Sequence, residues 1–82
     1  MQKELVLIEE ELIKRIYNLF LKKFDGNKSA FARACECKET TIRRIFRNEQ
    51  GITVNLLFRI SNSLDIPIEK LLENLVISKE VK

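Results

Sequence analysis

The chain has 82 residues, enough for one small domain with a single modest core and too few for a catalytic domain joined to a regulatory one. Its 45% apolar content is that of a folded protein and excludes a disordered tail. No apolar run reaches the roughly 20 residues of a membrane span, and MQKELVLIEEELIKR carries acids where a signal peptide has only bases, so a cytoplasmic protein is expected.

Apolar residues recur with a helical period in almost every segment, which predicts five helices and no strand. The first helix is predicted from about Lys3 to Phe24. Ile13, Tyr17, Phe20 and Phe24 form one apolar stripe along it, and Leu5, Ile8, Leu12, Ile16 and Leu19 form a second with the spacing of a helix-packing seam. The second stripe has two readings. It packs on Leu71, Leu75 and Val76 of its own chain, or it forms the interface of a homodimer, and the second is preferred because the N-terminal turns extend past a core of this size.

Asp25-Gly26-Asn27 ends the first helix, with Gly26 suited to a left-handed backbone and Asn27 to capping a short second helix, Lys28 to Cys35. A break at Glu36-Cys37 follows. Cys35 and Cys37 are too close in sequence to staple anything and are expected as free thiols. With no His and no third Cys in the chain, they cannot complete a four-ligand zinc site, and no metal or cofactor is expected. The missing His, the lack of a phosphate-cradling glycine loop and the absence of an evident carboxylate pair argue against an enzyme.

The third helix, predicted from Lys38 to Arg47, carries most of the information. Net charge is only +3 overall, yet from Asn27 to Arg47 six bases (Lys28, Arg33, Lys38, Arg43, Arg44, Arg47) face two acids (Glu36, Glu39). Ile42 and Ile45 share the core-facing side with Phe46 beside them, while Thr40, Arg43, Arg44 and Arg47 share the opposite face. A solvated surface is the ordinary reading of such a face, but three cations with no anion among them repel one another, which favours an anionic partner. Guanidinium suits guanine edges and phosphate, so nucleic acid leads. Thr53 then caps a fourth helix, Val54 to Leu64, and Pro67 opens a fifth that reaches about Leu75.

Residues 27–72, NKSAFARACECKETTIRRIFRNEQGITVNLLFRISNSLDIPIEKLL, resemble the helix-turn-helix of the Xre and phage Cro/repressor group. The resemblance rests on Phe31-Ala32, on Cys35 and Cys37 flanking the turn, on Ile42 and Ile45, and on TVNLLFRISNSLDI as a fourth helix. It implies an all-α, five-helix, lambda-repressor-like domain whose helix-turn-helix core spans 27–75 behind a long N-terminal helix. It also implies a double-stranded DNA partner, with Glu39, Thr40 and Arg44 reading bases, Arg43 beside them, and Lys28, Ser29, Lys38 and Arg47 meeting phosphate.

The function so implied is that of a sequence-specific transcriptional regulator, a repressor on a near-palindromic operator. An antitoxin that binds a protein partner and its own promoter is the alternative, and a purely structural bundle is a third. The chain departs from the family at four places. Glu36 stands where Gly is usual, Lys38 replaces a Ser or Thr cap, Glu49 sits in a loop where bases are common, and Leu21 with Phe46 replaces an Arg–Glu pair. Leu21, or Phe20 if the register shifts by one, is expected to pack on Phe46.

Overall fold

The computed structural model describes residues 2–75, with side chains described from Ile8 onward. It contains five α-helices: α1 (Gln2–Phe24), α2 (Lys28–Ala34), α3 (Glu39–Phe46), α4 (Val54–Leu64) and α5 (Ile68–Leu71). Among the described residues there is no strand, and no helix is long and apolar enough to cross a membrane. α1 touches each of the other four helices and α2 packs chiefly on α3, whereas the backbones of α3 and α4 have no Cα pair within 8 Å.

Short polar side chains begin α2 and α4 as expected. Asn27 Oδ1 accepts the Ala30 N–H at 3.0 Å, and Thr53 Oγ1 accepts the Leu56 N–H at 3.1 Å. The ends of α2, α3 and α4 follow one pattern. Cys37 N–H donates to Ala32 O, Glu49 N–H to Arg44 O and Ile66 N–H to Ser61 O, and each bond closes over a left-handed residue, Glu36, Asn48 or Asp65. Gly51, in the loop before α4, does not take this conformation; Asn48 does.

The helix predicted from Pro67 to Leu75 is much shorter. Pro67 is the N-cap, with ψ 148, and only Ile68–Leu71 is helical. The Arg15 guanidinium takes the carbonyls that a longer helix would have used, donating to Leu71 O at 2.9 Å and to Glu73 O at 2.6 Å. Asn74 then turns left-handed, and Leu75 returns to the core edge. Val76 lies outside the described residues.

Phe20, Phe31, Ile16, Ile42, Ile45, Ile60, Leu71 and Cys35 are fully buried. The Phe20 ring lies 5.0 Å from Phe31 and 5.2 Å from Phe46, centroid to centroid, and Tyr17 meets Phe46 edge-on at 4.9 Å. Of the two residues expected against Phe46, Phe20 holds the place, while Leu21 is 41% exposed beside Gly26. Leu21 follows Phe20 by 100° of helix rotation, which carries it out of the core.

Stability should follow this geometry. In urea unfolding, Phe20→Ala is expected to cost about 3–5 kcal/mol, Phe46→Ala, which is only partly buried, about 2–3 kcal/mol, and Leu21→Ala under about 1 kcal/mol. A Leu21→Ala loss equal to that of Phe20→Ala would contradict this register.

Candidate nucleic-acid interface

The α2–turn–α3 unit is set by a left-handed Glu36 with φ 57. A left-handed conformation is uncomfortable for a residue with a Cβ, by about 1–2 kcal/mol, and Glu lacks the short side chain that lets Asn or Asp tolerate it. Arg59 compensates from α4. Its guanidinium donates to Cys35 O at 3.3 Å and to Glu36 O at 2.8 Å, and Asn55 Oδ1 holds it in place at 2.8 Å. Sequence reading had no role for Arg59. The available signal was a lone charge in the otherwise uncharged helix VNLLFRISNSL.

Below the turn, the buried Cys35 thiol donates to Ser63 Oγ at 3.3 Å, since the Ser63 hydroxyl is itself committed to Ile60 O at 2.9 Å. Burial pushes the pKa of both Cys35 and Cys37 upward, which keeps them as neutral thiols that are poor metal ligands and slow nucleophiles. Among the described residues no group of three His, Cys, Asp or Glu is placed to hold a metal ion.

α3 begins at Glu39, not Lys38. Lys38 is the N-cap and makes no side-chain cap bond, so Glu39 in the first turn is the group that meets the positive helix end. Ile42 and Ile45 face the core, and Thr40, Arg43, Arg44 and Arg47 are exposed together on the other side. Lys38 and Ser29 are exposed near them in sequence, and Lys28 is half-buried. Ser29 Oγ accepts from Arg33 at 3.4 Å.

Two of the three guanidinium groups have an anionic partner, contrary to the expectation from sequence. Glu39 Oε2 accepts from Arg43 Nη2 at 2.6 Å and from Nε at 3.1 Å, because a spacing of four places them on adjacent turns of one face. Glu49 reaches Arg47 at 3.4 Å, since the left-handed Asn48 folds the loop back. Both pairs are exposed, and such pairs contribute only about 0.2–1 kcal/mol. Arg44 has no carboxylate partner among the described residues.

The second α1 stripe requires a correction. Leu12 and Ile16 belong to the chain's own core, and Leu19 packs against it, so these three side chains are already covered. α4 and α5 both pack against α1, and this part of the seam assigned to a dimer partner is buried within the chain. Ile8 is half-buried, and the side chain of Leu5 lies outside the described residues.

No protein-family model, curated protein or solved structure matches this chain.

If the turn carries strain that Arg59 offsets, two substitutions should have opposite signs. Glu36→Gly should raise stability by about 0.5–1 kcal/mol, the relief of the left-handed Cβ less the added freedom of the unfolded chain. Arg59→Gln should lower it by about 1–3 kcal/mol by leaving two carbonyls without their charged donor. Differential scanning calorimetry on both variants checks the pair of signs.

Proposed function

We propose that this chain is a sequence-specific double-stranded DNA-binding protein of the helix-turn-helix type, with a lambda-repressor-like arrangement and α3 as its recognition helix. The observation that carries the reading is the exposed face of α3, where Thr40, Arg43, Arg44 and Arg47 stand together opposite the buried Ile42 and Ile45. An eight-residue helix anchored on one side by apolar residues and offering guanidinium and hydroxyl groups on the other has the shape and chemistry of the major groove. Arg44, unpaired and exposed, is assigned to a base edge, most simply guanine O6 and N7. Lys28, Ser29 and Lys38 are assigned to phosphate. The weak pairs Glu39–Arg43 and Arg47–Glu49 cost little to open, so these side chains are available to base edges and backbone on binding.

Regulation by promoter occupancy follows, since the reading needs no chemistry beyond binding. A second copy on a near-palindromic site belongs to it as well, because one short helix reads only a few base pairs. Val54 and Phe58, exposed one turn apart on α4, replace the α1 seam as the contact for that copy. The only charged residue of α4, Arg59, is turned toward the Glu36 carbonyl, so like charges do not meet across that face.

Fluorescence anisotropy with promoter-derived and random duplexes at two salt concentrations tests the reading. Arg44→Ala should lose about 1–3 kcal/mol on the preferred site and less on random DNA. Lys28→Ala should weaken both equally and flatten the salt slope by about 0.9. A parent protein that binds neither duplex, or binds both without salt dependence, would refute it.

A further inference from the structure

Between α1 and the end of α3 lies a groove of about 480 Å³ that brings together Lys14, Tyr17 and Asn18 of α1, Lys28 of α2 and Asn48 after α3. Two lysines, two asparagines and a tyrosine line it, against a single acidic residue, Glu10. Neither lysine pairs with a carboxylate among the described residues. The Tyr17 ring is held by its edge contact with Phe46, the last residue of α3, which fixes one wall of the groove to the recognition helix. On the far side of Glu10 the surface changes sign. A smaller hollow of about 220 Å³ is lined by Glu9, Glu10 and Glu49 and by no lysine or arginine.

We infer that this groove is a phosphate-binding extension of the DNA-facing surface, so that the duplex backbone crosses α1 at Lys14 and stops short of the acidic hollow. The inference rests on the DNA reading and adds a direction to it. A polyanion lying along α3 is drawn toward the side lined by lysines and repelled from the side lined by glutamates. Lys28, already assigned to phosphate, lies in the same groove as Lys14, so contact with one brings the neighbouring phosphates of that strand near the other. Glu10 marks the boundary and opposes binding.

The sign pattern is testable on the full chain with a random-sequence duplex, because backbone contacts do not depend on sequence. Lys14→Gln and Glu10→Gln both alter exposed side chains, and thermal melting confirms that each remains folded. In anisotropy titrations across a salt series, Lys14→Gln should flatten the slope of log affinity against log salt by about 0.9. Glu10→Gln should tighten binding at low salt. A Lys14→Gln slope equal to the parent's, or a Glu10→Gln protein that binds no more tightly, would overturn the inference while leaving the Arg44 result untouched. A parent with no salt-dependent binding would overturn the inference and the DNA reading together.

Discussion

Phe20 lies fully buried in α1 with the rings of Phe31 and Phe46 5.0 and 5.2 Å away, so one side chain joins α1 to both α2 and α3. The fold depends on contacts of this kind because its smaller helices cannot stand alone. α2 has seven residues, α3 eight and α5 four, whereas isolated helices shorter than about 12–15 residues are marginal in water. Burial in the shared core is therefore what makes them helical. α1, with 23 residues, supplies the platform, and its contact with all four other helices explains why Leu12, Ile16 and Leu19 of the second apolar stripe are covered internally.

The helix ends show how a chain with two glycines closes five helices. Left-handed residues at Glu36, Asn48 and Asp65 stand where Gly would be easiest, and two arginines satisfy carbonyls that the turns leave open. Arg15 stops α5 from α1, and Arg59 holds the α2–α3 turn from α4. The latter matters for the site, since the backbones of α4 and α3 do not come within 8 Å of each other at any Cα pair. Its influence on the orientation of α3 passes through α2, through the shared core and through the Glu36 carbonyl.

Where the sequence was legible, a local rule and the tertiary fold agreed. Asn27 and Thr53 are caps whose side chains need only reach a backbone N–H three residues on, and α4 begins and ends where its pattern predicts. The left-handed Glu36 was legible only through comparison with a glycine pattern, not from Glu itself. The failures arose where a distant group decides. α5 stops early because of Arg15, 56 residues away, and no local pattern shows that. Leu12 and Ile16 have the spacing of a seam, but periodicity says only that a face is apolar and not which surface covers it. Likewise, the exposed face of α3 was legible, while the pairing of Arg47 with Glu49 required knowing that Asn48 turns the loop back.

If α3 reads DNA as proposed, charge and specificity need not increase together on this face. On the proposed reading, Glu39 sits at the start of α3, where its carboxylate favours the helix dipole and holds Arg43 at 2.6 Å. Toward phosphate it is repulsive on every sequence. Toward a base edge it is selective, because a carboxylate can accept from the amino group of cytosine or adenine and gains nothing from the major-groove acceptors of guanine and thymine. It therefore lowers non-specific affinity more than it lowers affinity for a matching site. Glu49 beside Arg47, and the Glu9 and Glu10 carboxylates beyond the end of α3, act in the first sense alone. A recognition face with modest net charge binds random DNA weakly. Its preference then rests on the few groups that meet base edges, with Arg44 the least encumbered of them.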